Sequence, residues 1–190
     1  MQEISKEQLA ALPIKRYEGP VVLMDLQKIH LLREDLEKEH LVGFDTETRP
    51  AFKPGQSYLP SLVQLATARA VYLFQVQQHD FSDVLRTIFS AEKITKVGVS
   101  VADDLKNLRK LFEFHGNNVR DLGIIAKQHG LKQTGIRNLA GILLGERIPK
   151  GAKTTNWAAR TLTPQQIAYA ATDAWVCRVL FLRFREMGWL

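Results

Sequence analysis

The order of apolar patterns along the chain restricts its fold more than any other feature. Short apolar runs of strand length are concentrated in the first half, at residues 21–24, 41–45, 62–66, 71–74 and 94–101. Apolar residues at helical spacing predict helices at about 26–40, 81–90, 103–112, 121–128, 136–144 and 164–187. The pattern begins with hairpin-like strands, continues with alternating strand and helix, and ends in a helical second half. This order indicates an α/β domain with a mixed sheet.

The length and composition suit one compact domain. The chain has 190 residues, of which 45% are hydrophobic and 24% charged, as is ordinary for a globular protein with its own core. We predict a single domain over residues 1–190, with residues 1–19 as a short N-terminal arm. The single cysteine, Cys177, excludes an internal disulfide and suits a reducing compartment.

Neither a membrane span nor a secretory signal is predicted. No apolar stretch approaches the roughly 20 residues that cross a bilayer, and the N-terminus lacks the apolar core and cleavage site of a signal peptide. We therefore expect a cytoplasmic protein or one of an organelle interior. The net charge of +6 favours a polyanionic partner such as nucleic acid, without a basic run that would form a disordered tail.

Two acids end the apolar run Leu41-Val-Gly-Phe-Asp45, which is predicted to be a buried strand. Asp45 and Glu47 are two residues apart, so on a strand they lie on the same face. They stand at the carboxyl end of the strand, the edge where open α/β sheets bind ligands. Converging carboxylates repel each other unless a cation lies between them, and oxygen ligands suit Mg²⁺ or Mn²⁺. The alternative is that the two acids only begin a solvated loop.

A tyrosine and an acid share one face of the long C-terminal helix. Tyr169 and Asp173 are four residues apart and therefore neighbours on the helix surface. The helix is predicted to start at Thr163, a capping residue, followed by Pro164 at the first helical position. Small residues surround the pair and would let the helix approach the sheet closely: Ala168, Ala170, Ala171 and Ala174. The alternative is an ordinary surface tyrosine beside an acid.

Two further acids lie at a predicted junction between strand and helix. Asp103 and Asp104 follow the strand pattern that includes Gly98. An aspartate at the start of a helix can be a capping residue that also suits the helix dipole. Only one of the two therefore needs a functional role.

Five segments of the sequence, taken together, point to one family: Gly43-Phe44-Asp45-Thr46-Glu47-Thr48, Pro60-Ser61-Leu62-Val63-Gln64-Leu65-Ala66, Lys96-Val97-Gly98-Val99 through Asp104, Asn156-Trp157, and Tyr169-Ala-Ala-Thr-Asp173-Ala. They resemble the DEDDy exonucleases, which include ribonuclease D, the Werner-type exonuclease domain and polymerase proofreading domains. The resemblance covers about Val21 to Phe184.

The resemblance implies four metal-binding carboxylates and one tyrosine, which are Asp45, Glu47, Asp104, Asp173 and Tyr169. Asp104 is preferred to Asp103 because the spacing from Gly98 in Werner-type sequences reaches Asp104. A related branch has a histidine five residues before the last acid. Ala168 occupies that position here, which favours the tyrosine branch.

A two-ion mechanism also follows from the resemblance. Two divalent ions, Mg²⁺ or Mn²⁺, lie about 3.5–4 Å apart in such sites. Asp45 would bridge them, with Glu47 and Asp173 on the first ion and Asp104 supporting the second directly or through water. Tyr169 would orient the attacking water, and the product would be a nucleoside 5′-monophosphate. The substrate would be DNA or RNA with a free 3′ end.

Six residues are weaker candidates for contact with the substrate. Three basic side chains before the last helix would contact phosphates or else form a solvated basic loop: Lys150, Lys153 and Arg160. Leu62 and Gln64 would border the terminal nucleotide. Trp157 is expected to pack rather than to stack on a base.

The family resemblance further implies a ribonuclease-H-like fold, with a mixed five-stranded sheet flanked by helices. The predicted function is metal-dependent 3′→5′ exonuclease activity. The alternative is a nucleic-acid-binding or adaptor module that keeps the fold without turnover, and the presence of acids at all four positions argues against it.

Overall fold

The computed structural model of the chain describes residues 3–151 and 154–190. Seven α-helices are present in these residues: α1 (Lys6–Ala11), α2 (Ile29–Lys38), α3 (Ser82–Ser90), α4 (Val101–Leu108), α5 (Leu122–Gln128), α6 (Ile136–Leu144) and α7 (Pro164–Glu186). Six strands accompany them: β1 (Val21–Leu23), β2 (Leu41–Thr48), β3 (Pro60–Ala66), β4 (Val71–Gln75), β5 (Thr95–Gly98) and β6 (Val119–Asp121). A short 3₁₀ helix, Leu26–Lys28, leads into α2.

The strands form one mixed sheet in the order β1-β4-β3-β2-β5-β6. Strands β2, β3 and β4 are antiparallel neighbours, whereas β1 pairs in parallel with β4, and β2, β5 and β6 are parallel. The predicted mixed α/β fold is confirmed, but the sheet has six strands instead of five. The additional strand, β6, has three residues, which is too short to show an alternating pattern in sequence. The strand predicted at 94–101 ends at Gly98, and Val101 already begins α4.

Helices cover both faces of the sheet. Phe44, Leu65 and Phe74 belong to an apolar cluster on one face, which also contains buried residues of α2, α3 and α4. The opposite face packs against α7, which also contacts α5 and α6. None of the helices in the described part of the chain combines the length and apolar character that crossing a bilayer requires.

Helix α7 crosses the sheet in direct contact with the backbone of β2. Thr163 caps the helix in a reciprocal capping box with Gln166, and Pro164 occupies its first turn, as predicted. The side chains of Ala170, Ala171 and Ala174 are fully buried against the sheet. Gly43 supplies the space on β2, because a Cβ atom there would lie 2.1 Å from the carbonyl oxygen of Ala174. The predicted close approach of this helix is confirmed, and it places Asp173 over the end of β2.

Gly43→Ala is expected to lower the free energy of unfolding by at least about 3 kcal/mol, since overpacking a core typically costs 1–3 kcal/mol and here the added methyl meets rigid backbone. Urea denaturation followed by circular dichroism measures the change. Gly135→Ala is the matched control, because nothing lies within 4 Å of its added Cβ and its φ of −72° suits any residue. Equal effects of the two substitutions would contradict the proposed contact.

Candidate active site

Three carboxylates converge where β2 meets α7. Asp45 and Glu47 lie on β2, and Asp173 lies on α7. Each of the three offers a carboxylate oxygen, and these oxygens all lie within 4.8 Å of one another. Asp173 and Glu47 are buried, with exposed fractions of 4% and 7%, and Asp45 is half-buried. Asp45 and Glu47 share a face because side chains alternate along a strand. The packing of α7 on Gly43 places Asp173 next to them.

This cluster fits a divalent cation. Its ligand atoms are carboxylate oxygens, which Mg²⁺ and Mn²⁺ prefer. Like charges at this separation oppose one another's ionisation, so a cation between them would stabilise the arrangement. Asp45, Glu47 and Asp173 are the residues that would hold it.

Asp104 lies beside this cluster and is not part of it. Thr46 stands between Asp45 and Glu47 on β2, and its side chain is directed to the opposite face of the strand by the same alternation. Its hydroxyl donates a hydrogen bond to Oδ1 of Asp104 on α4. Burial raises the pKa of the Asp104 carboxyl, Asp103 and Asp121 raise it further, and the bond from Thr46 lowers it. Asp104 therefore has an environment distinct from that of the exposed Asp103 next to it.

The expectation that an aspartate at the start of α4, Asp103 or Asp104, could cap this helix is wrong. The backbone N–H groups of Ser100 and Val101 at the start of α4 donate to the carboxylate of Asp121, at 3.2 and 3.0 Å. The same carboxylate accepts from two backbone N–H groups at the start of α5. Asp121 comes from the end of β6, so sequence proximity could not reveal it as the cap of α4.

Tyr169 is positioned beside the carboxylates by α7. Its hydroxyl oxygen accepts a hydrogen bond from Nη2 of Arg137 on α6 at 3.1 Å, and the guanidinium carbon lies 5.9 Å from the centre of its ring. Gly151 makes room for the ring, since a Cβ there would lie 2.5 Å from Cδ2 of Tyr169. Sequence reasoning missed Arg137, because nothing local in the sequence connects it with a tyrosine on another helix.

The phenol of Tyr169 is held in its protonated form. Burial raises its pKa well above the ordinary value, Asp173 and Glu47 add to the increase, and Arg137 opposes it. Because Arg137 donates to the oxygen, the O–H proton of Tyr169 is available for a second hydrogen bond. The tyrosine is therefore suited to donate a hydrogen bond to a bound molecule and poorly suited to remove a proton from one.

A cleft opens beside Tyr169 and Asp173. Its wall includes Ala168, Lys150 and Arg16. Ala168 is the small residue in the position where the related branch has its histidine, so this part of the wall offers no base. Arg16 belongs to the N-terminal arm and was not predicted to lie here.

The structure separates the six weaker candidates into three groups. Lys150 is exposed at the cleft. Arg160 is exposed, and its carbonyl oxygen accepts from Gln75, whereas Lys153 lies outside the described residues. Three are fully buried and have no surface in this structure with which to contact a nucleotide: Leu62, Gln64 and Trp157.

The buried candidates nevertheless lie close to the carboxylates. Gln64 pairs directly with Asp45 across the sheet, and Leu62 pairs with Glu47. The ring of Trp157 lies 6.0 Å from that of Tyr169. These side chains therefore belong to the packing beneath the site and not to its surface.

A mixed sheet covered by helices, with acids gathered at the carboxyl end of a central strand, defines a ribonuclease-H-like α/β domain. The chain belongs to the 3′-5′ exonuclease family, whose sequence model matches residues 21–189. The match extends from β1 to the end of α7 and therefore includes all five predicted catalytic residues.

Individual relatives and structures agree with this assignment. The mouse bifunctional 3′-5′ exonuclease/ATP-dependent helicase WRN is 27% identical over 93% of this chain and 13% of its own length. Ribonuclease D of Acidiphilium cryptum is 30% identical over 85% of this chain and 41% of its own length. The crystal structure of the Aedes aegypti Nibbler EXO domain has a TM-score of 0.78 at 22% identity, covering 93% of this chain and 94% of that one. The chain thus spans less than half the length of these two curated relatives.

Proposed function

We propose that this chain hydrolyses nucleic acid from a free 3′ end and releases nucleoside 5′-monophosphates, as an exonuclease of the DEDDy type. The observation that carries the proposal is the convergence of Asp45, Glu47 and Asp173 beside Tyr169. Family membership supports it, and so do the names of relatives that are 3′-5′ exonucleases or ribonuclease D. The substrate is RNA or DNA, and we propose that residues 1–190 act as one cytoplasmic domain.

The carboxylates would bind two divalent cations, Mg²⁺ or Mn²⁺. Asp45, Glu47 and Asp173 would hold one ion, and Asp104, which accepts a hydrogen bond from Thr46, would support the second. When bound, such ions neutralise charge on the phosphate and its leaving oxygen and acidify a water molecule.

Tyr169 acts on the attacking water. Its protonated phenol donates a hydrogen bond to that water and orients it toward the phosphorus atom. Arg137 donates to the phenol oxygen and keeps the ring at the cleft. Lys150 at the cleft wall attracts the phosphate of the terminal nucleotide. Because the carboxylates are buried, the end of a strand that enters the cleft reaches them, whereas the middle of a strand does not. This restriction favours the release of single nucleotides.

Degradation of end-labelled oligonucleotides tests the proposal. Single- and double-stranded DNA and RNA should be shortened one nucleotide at a time in Mg²⁺ or Mn²⁺, and EDTA should abolish the reaction. A 3′-blocked oligonucleotide and a circular single strand serve as controls and should persist. Cleavage of the circle at the rate of the linear strand would show an endonuclease. Binding without any turnover would support the adaptor alternative.

Tyr169→Phe should lower the single-turnover rate by roughly 100-fold, the lower end of what a positioned proton-handling group contributes. The variant keeps the ring and all carboxylates, so affinity for nucleic acid and for Mn²⁺ should stay within about twofold of the wild type, because no charge is lost. Rapid-quench kinetics at saturating Mn²⁺ measure the rate. An unchanged rate would remove Tyr169 from the mechanism and leave the carboxylates as the whole apparatus.

A further inference from the structure

A second groove adjoins the candidate active site. It lies between the N-terminal arm, α6 and the segment after α6, and it has a volume of about 400 Å³. Its wall shares Ile148, Pro149 and Lys150 with the cleft that contains Tyr169 and Asp173. The two depressions therefore adjoin each other along that segment, and a chain-like molecule held in the cleft could extend toward the groove.

The groove is strongly basic. Four cationic side chains line it, namely Lys6, Arg137, Arg147 and Lys150, and no acidic side chain lines it among the described residues. The remainder of its wall is largely apolar and includes Leu9 and Ile14. Ile14 is 48% exposed and gives the groove an accessible apolar surface. Cations beside an exposed apolar surface match a molecule that carries both phosphates and bases.

The arm is fixed to the rest of the domain by specific contacts. The backbone of Arg147 donates to Pro13 at 2.8 Å, and the backbone of Lys15 donates back to Arg147 at 3.0 Å. The N–H of Tyr17 donates to Oγ1 of Thr172 on α7 at 3.1 Å. Arg16, between these anchors, is thereby directed to the active-site cleft.

The arm also lies outside the part of the chain that defines the family, since the family match begins at residue 21. Lys6 and Arg16 are both residues of this arm. Both are exposed, and each lines a different depression, Lys6 the groove and Arg16 the cleft.

We propose that the groove binds the single-stranded segment immediately 5′ of the nucleotide that is cleaved, with its cations on the phosphates and its apolar wall against the bases or sugars. The inference rests on the proposed exonuclease function. The strand must be single at this point, because a terminal nucleotide reaches buried carboxylates only after it leaves its duplex partner. In this arrangement, Arg16 contacts the phosphate nearest the site and Lys6 contacts one farther along the strand.

Binding of oligonucleotides of different length to Lys6→Gln and Arg16→Gln tests the inference. Fluorescence anisotropy in EDTA, with single strands of three and ten nucleotides, measures affinity without metal-dependent turnover. Each single-strand phosphate contact contributes about 0.7 to the slope of log affinity against log salt, or roughly fivefold in affinity at 0.1 M salt. Lys6→Gln should therefore lose about fivefold on the ten-nucleotide strand and less than twofold on the trinucleotide, whereas Arg16→Gln should lose about fivefold on both.

Lys93→Gln is the matched control, because Lys93 is exposed and precedes β5, at the sheet edge opposite the carboxylates. It should bind both strands as the wild type does. The inference is overturned if Lys6→Gln behaves like Lys93→Gln on both lengths, or if the wild type binds ten nucleotides no more tightly than three. The two proposals can fail independently. If the wild type showed the expected dependence of affinity on strand length but hydrolysed nothing, only the proposed exonuclease activity would be contradicted.

Discussion

Asp173→Asn is expected to abolish hydrolysis while leaving the fold intact. Asp173 is one of three carboxylates that converge on the proposed cation site, and removing its charge weakens the hold on the ion that stabilises the transition state. Such ions supply several kcal/mol, and each 1.4 kcal/mol is a factor of ten, so the rate should fall by at least about 10³-fold. Single-turnover degradation of a 3′-labelled oligonucleotide at saturating Mn²⁺ measures the loss.

Thermal unfolding of the same variant separates a catalytic from a structural role. In EDTA, Asp173→Asn should unfold at a temperature equal to or above that of the wild type, because three neighbouring carboxylates repel one another. Added Mn²⁺ should raise the unfolding temperature of the wild type and raise that of the variant much less, since a bound ligand stabilises in proportion to its affinity.

Asp83→Asn, which alters an exposed carboxylate paired with Arg86, controls for the chemistry of the Asp173→Asn substitution and should leave both measurements unchanged. If Asp173→Asn hydrolysed the oligonucleotide at the wild-type rate, Asp173 would hold no essential ion.

Asp104→Asn should reduce turnover by about 10²-fold or more, whereas Asp103→Asn should leave turnover unchanged. Asp104 is partly buried beside the cluster, and asparagine keeps an oxygen that accepts from Thr46, so the fold should persist while the charge available to a second ion is lost. Asp103 is exposed in the first turn of α4, where the dipole of the helix gives a carboxylate about 0.3–1 kcal/mol of stability. Rates and urea unfolding of the two variants provide the comparison.

The neighbouring pair makes this a matched experiment, since the same chemical change is made one residue apart. Loss of turnover in Asp103→Asn with normal turnover in Asp104→Asn would show that the second-motif acid is Asp103. Loss of turnover in both variants would show that turnover depends on the total negative charge at the start of α4 more than on the position of one carboxylate.

Much of the local structure follows from the sequence because it depends on near neighbours. The Thr163–Pro164 start signal correctly predicts the beginning of α7, and helical spacing locates α3, α5 and α6 to within one residue. Strand β6 escapes detection because three residues carry no measurable periodicity, and the strand at 94–101 is overestimated because its apolar pattern continues into α4.

The sequence by itself determines which acids can act together within one element. Asp45 and Glu47 share a face because a strand repeats every two residues, and Tyr169 and Asp173 share a face because a helix repeats every 3.6 residues. These spacings, together with the family motifs, predict the residues of the candidate site before any fold is known.

The tertiary structure alone decides what lies around those residues. The seating of α7 on Gly43 joins Asp173 to the acids of β2, and the same packing buries Trp157 and Gln64 beneath the site. Arg137 reaches Tyr169 from another helix, Asp121 replaces Asp103 as the cap of α4, and the arm brings Arg16 to the cleft. Backbone periodicity acts over a few residues, whereas these contacts arise from the shapes of packed elements that are distant in sequence, and no local pattern encodes them.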